Sequence, residues 1–148
     1  MNPATLEALA NFPKQLEAFY EAIPAAYKHW TPPSWEGIPS ERFTAIEQVC
    51  HVRDIEIEGY HLRFRRPLEE DNPLLESIDG YRLARDRIYG DADAAEAFAA
   101  FRAARARTME MISGLDAEQL ARPAMFEGSP VTMQGLIHLL CSHDQQHL

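Results

Sequence analysis

The chain is poor in cysteine, in long apolar runs and in basic residues, and each shortage excludes a class of protein. Its two cysteines, Cys50 and Cys141, are too few for a disulfide framework, so we expect reduced thiols in a cytoplasmic protein. No apolar run reaches the roughly 18–20 residues of a membrane span, and the first residues do not resemble a secretory signal. A formal net charge of −9 argues against nucleic acid as the partner.

Three common catalytic motifs are also missing. The sequence contains no serine-centred nucleophile elbow, no glycine-rich phosphate loop and no CxxC pair. Nucleophilic-serine, nucleotide-dependent and thioredoxin-type chemistry are therefore disfavoured. What the chain does have is 46% hydrophobic residues in a length of 148, which is enough to build the core of one domain, residues 1–148.

Helical periodicity dominates the chain. Apolar residues recur every three or four positions in segments separated by proline and glycine, and no segment alternates as a hairpin would. Pro13 should kink or divide the first helix, and Ser40 should cap the second, whose apolar stripe includes Ile57. We predict long helices over residues 3–22, 40–64, 92–113 and from 132 onwards, with shorter helical turns over 81–89 and 116–120 and a loop over 121–131. The expected fold is all-α, a four-helix bundle with crossover loops and short extra helices.

The last helix carries the most informative residues. His143 and His147 continue the apolar stripe of Leu136 and Leu140, and their spacing of four stacks two imidazoles on one helix face. His51, in the second helix, is a third candidate. Three neutral imidazoles could bind one divalent metal and leave a coordination position open, which is the arrangement of a catalytic site. The other histidines are expected at the surface or in packing: His29, His61 and His138.

Three carboxylates lie at helical spacing on the side of the second helix that carries His51: Glu47, Asp54 and Glu58. Each could act as a general base, bind the metal or orient an imidazole, and spacing alone does not choose among them. Glu56 is expected on an exposed face, paired with Arg53. Asp144 points about 100° away from His143, so we expect it to anchor a neighbouring helix or a histidine.

Three segments, in this order, resemble the DinB/YfiT-like superfamily, whose members are regarded as metal-dependent enzymes. Residues 43–56 are similar to the family's second helix with its first metal histidine. Residues 78–89 and 98–105 resemble the middle of many members, and residues 131–148 match the terminal helix with its HDxxH sequence. By this resemblance His51, His143 and His147 take the three ligand positions at one end of a four-helix bundle.

The resemblance also implies an activity. Characterised relatives include transferases and isomerases that use a low-molecular-weight thiol, so the implied protein is a transferase- or hydrolase-like enzyme whose zinc, nickel or iron activates water or a thiol. A small-molecule substrate and a homodimer are implied as partners. Family helices usually continue past the last histidine, whereas one residue follows His147 here. Either the chain is truncated or incompletely recorded at its C-terminus, which we favour, or its metal affinity is low.

Two further hypotheses use the same residues. A metal-binding or stress-associated bundle without turnover would have the same ligands but no deep pocket beside them. A helical interaction module would use the histidines only to close its core and would bind no metal. Phosphohydrolases of the HD type need His and Asp ligands that are further apart, and these cannot be placed in this sequence.

Overall fold

The fold is a bundle of four long helical units joined by shorter elements. The computed structural model describes residues 1–31, 33 and 42–148, so the predicted cap Ser40 lies outside the described residues. The α-helices are α1 (Pro3–Ala22), α2 (Ala45–Asp54), α3 (His61–Glu69), α4 (Gly80–Asp86), α5 (Ala94–Ile112), α6 (Ala117–Leu120) and α7 (Met133–Gln146). A π-helical segment (Ile55–Tyr60) joins α2 to α3, 3₁₀ turns cover Ala25–Tyr27 and Tyr89–Asp91, and the strands are β1 (Leu74–Leu75), β2 (Pro123–Phe126) and β3 (Ser129–Thr132). Among the described residues, no helix combines the length and the apolar character that crossing a bilayer requires.

Helix α1 has the predicted bounds and is not divided by its internal proline. The Asn2 side chain caps it by accepting a hydrogen bond from the Ala4 amide at 3.0 Å. Pro13 has no N–H, so the carbonyl of Leu9 loses its usual helical donor. Arg105 of α5 supplies a replacement, because its Nη1 donates to the Leu9 oxygen at 2.6 Å. The proline therefore leaves one carbonyl without its helical donor, a side chain of α5 donates to that carbonyl, and the helix continues.

The second helical unit begins at Ala45, capped by Thr44, later than the predicted start at residue 40. It also runs further than predicted, through the π-helical segment to Glu69, with Pro67 inside α3. Within it, two burial predictions were wrong. Glu56 is buried at 1% exposure, whereas Ile57 is 41% exposed. The wider turns of a π-helix rotate the residues that follow relative to an ideal α-helix. Extrapolating a stripe at α-helical spacing across this segment therefore assigns the wrong faces.

The expectation of no hairpin was also wrong. Strands β2 and β3 form an antiparallel pair, and β1 adds to β2 in parallel. The turn is Glu127-Gly128, with φ of 50° and 77°, the positive-φ geometry that suits the twist of a hairpin. Pro123 and Pro130 hid these short strands, because proline is normally a mark of loops and edge strands. Strand β3 ends at Thr132, whose side chain accepts from the Gly135 amide and caps α7 as predicted.

The core fills the space between the helices. The predicted stripe of α7 is fully buried at Met133, Leu136, Ile137 and Leu140. From α5, Phe98, Phe101 and Ile112 are also buried. Each such side chain contributes about 1.5–3 kcal/mol through removal of apolar surface from water. Both cysteines carry free thiols, as expected, with Cys50 buried and Cys141 partly buried against the core.

A buried ion cluster joins α5 to three other elements. Arg105, 2% exposed, donates through Nε and Nη2 to the Glu56 carboxylate at 2.8 and 2.9 Å. It also donates through Nη1 and Nη2 to Asp144 at 2.8 and 3.0 Å, and Thr108 donates to Glu56 at 2.6 Å. With the Leu9 carbonyl, all five guanidinium N–H groups have acceptors. Asp144 thus anchors α7 to a neighbouring helix, as expected, while the predicted surface pair of Glu56 with Arg53 does not form.

Candidate metal centre

Two helices bring three imidazoles together. His51 lies on α2, His143 lies in the last turns of α7, and His147 is the residue directly after that helix. The His143 Nε2 atom is 3.3 Å from the Nε2 atoms of both His51 and His147. One nitrogen from each of the three rings lies within 4.8 Å of the others. The residues that the sequence singled out as ligands therefore face one another at one end of the bundle.

The spacing of these nitrogens fits a metal ion. For a tetrahedral zinc with Zn–N bonds of 2.0–2.1 Å, neighbouring nitrogens are about 3.3–3.4 Å apart. The observed 3.3 Å between His143 Nε2 and each of the other two Nε2 atoms has this value. Chemically, a set of three neutral imidazoles suits zinc, nickel or iron. The donor set and its geometry therefore agree with a divalent transition metal.

A glutamine fixes the orientation of one of the rings. The Oε1 atom of Gln48 accepts a hydrogen bond from His147 Nδ1 at 2.6 Å. With the proton on Nδ1, the lone pair of His147 lies on Nε2, the atom that faces His143. Gln48 precedes His51 by one helical turn on α2, so one helix supplies both a candidate ligand and the residue that orients another candidate. Sequence reasoning missed Gln48, and its position three residues before His51 was the available signal.

All three imidazoles are neutral at pH 7. Burial, and after it the neighbouring His147, lower the pKa of His51 to about 3. Burial and the adjacent rings also lower the pKa of His143 to about 3, and burial lowers the pKa of His147 to about 4. A metal ligand must present an unprotonated nitrogen. Protons therefore compete weakly for these atoms near neutrality.

Two of the three predicted general bases, Glu47 and Glu58, take part in contacts that stabilise the fold. The Glu47 carboxylate accepts from the Thr44 amide at 2.7 Å and from its hydroxyl at 2.8 Å, which makes a capping box at the start of α2. Glu58 pairs with Arg87 at the surface. Neither carboxylate belongs to the three-histidine group, so a role as base stays a prediction for both.

The third predicted base, Asp54, lies in a buried network. Its carboxylate accepts from Tyr89 at 2.6 Å, from Arg53 at 2.6 Å and from Arg87 at 2.7 Å. Burial alone would raise the pKa of Asp54, but hydrogen bonds from Arg53, Tyr89 and Arg87 outweigh that effect and hold the pKa below its usual range. A carboxylate with three donors and a low pKa is a weak proton acceptor. Its negative charge does act on His51, whose imidazolium form it favours.

The remaining histidines lie away from the cluster. His29 is exposed, and His61 Nε2 lies 3.1 Å from both the Ala104 carbonyl and the Thr108 hydroxyl. His138 was expected to pack, but it is exposed. Its separation of five residues from His143 turns it about 140° around the helix, toward solvent rather than toward the core.

A pocket opens beside two of the three imidazoles. It has a volume of about 280 Å³ and includes both His51 and His143 in its wall. Its apolar wall consists of Ile55, Ile78, Phe126 and Leu139. A pocket of this size accepts a small organic molecule with one end at the histidines. The hypothesis of a metal-binding protein without turnover predicted no such pocket.

Comparison with known proteins finds one matching family and a similar solved structure. A sequence model of the DinB superfamily matches residues 6–148. Among solved structures, YfiT from Bacillus subtilis is similar, with a TM-score of 0.84 and 18% identity over 99% of this chain and 83% of that one. YfiT is described as a probable metal-dependent hydrolase with an unusual four-helix bundle topology. No curated protein sequence matches the chain.

Replacing Gln48 with leucine should weaken metal binding without removing it. The variant keeps the size of the side chain but leaves His147 Nδ1 without its acceptor, so the ring is free to turn or to change tautomer. Loss of such a supporting contact typically costs about 10- to 100-fold in metal affinity. Competition for zinc against a coloured chelator measures the change. Gln145→Leu, an exposed glutamine of α7, is the matched control and should leave the affinity unchanged; equal affinities in all three proteins would contradict the role of Gln48.

Proposed function

The chain belongs to the DinB superfamily, and from this premise we propose that it is a metal-dependent enzyme in which His51, His143 and His147 bind one divalent cation. The observation that supports the proposal most directly is the 3.3 Å spacing of the facing Nε2 atoms. The description of YfiT as a probable metal-dependent hydrolase with the same bundle supports it from outside. Zinc, nickel and iron all suit these ligands.

The proposed activity is hydrolysis or group transfer with activation of water or of a low-molecular-weight thiol. When bound, the cation would supply Lewis-acid chemistry, which polarises a substrate oxygen or lowers the pKa of water or of a thiol. The protein's own part is to hold three neutral rings in place, with Gln48 fixing one of them. With three protein ligands, a bound cation would keep one coordination position for water, thiol or substrate, and the pocket that His51 and His143 line lies beside them.

The pocket supports an enzyme over a simple metal binder. Its apolar side chains offer a surface for the body of a substrate, and its histidines lie where a bound cation would react with it. A storage or stress-associated metal protein does not require a substrate-sized space beside its ligands. The same pocket argues against a helical interaction module, in which the histidines would close the core.

Turnover that depends on the metal is the decisive test. We expect protein stripped with a chelator to be inactive, and protein reloaded with zinc, nickel or iron to hydrolyse activated esters or to transfer bacillithiol, mycothiol or glutathione to an electrophile. His51→Ala should lower the rate at least about 100-fold, because a two-ligand site holds the cation poorly. The matched control is the exposed His138→Ala.

Each result separates the hypotheses. One equivalent of bound metal without any turnover above the buffer rate would favour the metal-binding protein. If the wild type binds no stoichiometric metal, the helical interaction module is the hypothesis that remains. Turnover that is equal in stripped and reloaded protein would contradict a metal-dependent mechanism altogether.

A further inference from the structure

The pocket beside the histidines contains a buried cation that the proposed chemistry does not use. Arg63 of α3 is 5% exposed and lies in the wall of the same pocket as His51 and His143. Among residues 1–31, 33 and 42–148, no Asp or Glu oxygen lies within 4 Å of an Arg63 nitrogen, so none of them forms an ion pair with it. Its Nε atom is buried without a hydrogen-bond partner. Nη2 donates to the Glu76 carbonyl at 3.0 Å.

Comparison with the other buried arginine shows why this is unusual. Arg105 is about equally buried, and two carboxylates and a carbonyl accept from its five N–H groups. A buried charge is costly unless it has partners of the opposite sign. Arg63 has a side-chain hydrogen bond with the neutral Tyr60 hydroxyl and the exposed Glu127 only at longer range. The fold therefore retains a guanidinium with unused capacity to bind an anion.

The surroundings of Arg63 hold its guanidinium in one orientation. The guanidinium carbon lies 4.9 Å from the centre of the Tyr60 ring and 4.6 Å from that of Phe126, which places the cation against two aromatic rings. Gly59 leaves room for it, since a Cβ at that position would lie 3.2 Å from Nη1. A fixed planar guanidinium is matched to the two oxygens of a carboxylate.

We propose that Arg63 is the substrate anchor, and that the pocket takes a small carboxylic acid with an apolar body. The carboxylate would bind Arg63, and the body would lie along Ile78, Phe126 and Leu139 with its reacting end at the histidines. One guanidinium with Glu127 nearby favours a monoanion over a phosphate dianion. This inference rests on the proposed function for the identity of the reacting end, but the anchor itself does not require a bound metal.

A pair of probes that differ only in charge tests the anchor. Benzoate and benzamide have the same shape, and their dissociation constants are measured by calorimetry or NMR titration on zinc-loaded and on metal-free protein. We expect benzoate to bind roughly 10- to 100-fold more tightly than benzamide in both forms, as hydrogen bonds to a charged group imply. Arg63→Gln should bring the ratio to about one while leaving the zinc stoichiometry unchanged.

The control is Arg65→Gln, which removes the same charge from the same helix at an exposed position and should keep the full ratio. If Arg63→Gln does not fold, Gly59→Ala provides a second test, because its methyl group displaces Nη1 and should reduce the ratio. A ratio near one in the metal-free wild type, or an undiminished ratio in Arg63→Gln, overturns the anchor. A wild type that binds no zinc but still prefers benzoate through Arg63 would refute the metal centre and leave the anchor standing.

Discussion

Replacing His143 with alanine should abolish stoichiometric metal binding. The wild type should bind about one equivalent of zinc, nickel or iron, as measured by elemental analysis after dialysis. His143 is the central ligand, because its Nε2 lies 3.3 Å from both other Nε2 atoms. Without it, His51 and His147 remain as a two-ligand set. We expect the affinity to fall by more than the roughly 100-fold that loss of a supporting contact costs.

The same loss should appear in thermal stability. A ligand that binds only the native state stabilises it by about 4 kcal/mol at a thousandfold excess over its dissociation constant. Zinc should therefore raise the Tm of the wild type and not that of His143→Ala. His138→Ala, an exposed histidine of the same helix, is the control and should retain both the metal and the shift. A variant without His143 that still retains one equivalent would show that the cation is bound elsewhere.

The facing of His143 and His147 could be predicted from the sequence because helical spacing determines where these side chains point. The stripe of Leu136 and Leu140 is buried, and its extension to His143 and His147 turns both rings toward the bundle interior. The position of Gln48 three residues before His51 placed it on the same side of α2, but that spacing did not identify its partner. Its bond to His147 spans 99 residues of sequence and depends on how α2 packs beside the end of α7, which no local pattern specifies.

The bundle itself was predictable for the same reason, and the errors of the prediction lie in the irregular parts of the chain. Periodicity located α1, α5 and α7 to within two residues. It failed in the π-helical segment, where the backbone leaves the ideal α-helix, and at Pro67 of α3 and in the β2–β3 hairpin, where proline predicts a loop. The pocket depends on these irregular parts. Tyr60 ends the π-helical segment and Phe126 ends β2, so Arg63 between them could not be recognised as a pocket residue in advance.

Replacing Arg105 with alanine should be the most destabilising single change in the bundle. The substitution leaves the Glu56 and Asp144 carboxylates buried together without a cation, and it leaves the Leu9 carbonyl without a donor. Breaking a buried ion pair by removing one partner costs about 3–5 kcal/mol, against a total of about 5–15 kcal/mol for a typical domain. Urea unfolding followed by circular dichroism, on metal-free protein, measures the difference.

Arg102→Ala is the matched control for this prediction. It removes an arginine from the preceding turn of α5, but its partner is Glu17 at the surface, where an ion pair contributes about 0–1 kcal/mol. Arg105→Lys should fall between the two, since an ammonium keeps the charge but has three donors for five bonds. If Arg105→Ala costs no more than Arg102→Ala, the cluster does not hold the helices together.

Because Asp144 directly follows His143 on α7, Arg105→Ala should also loosen the end of that helix and weaken metal binding, whereas Arg102→Ala should not.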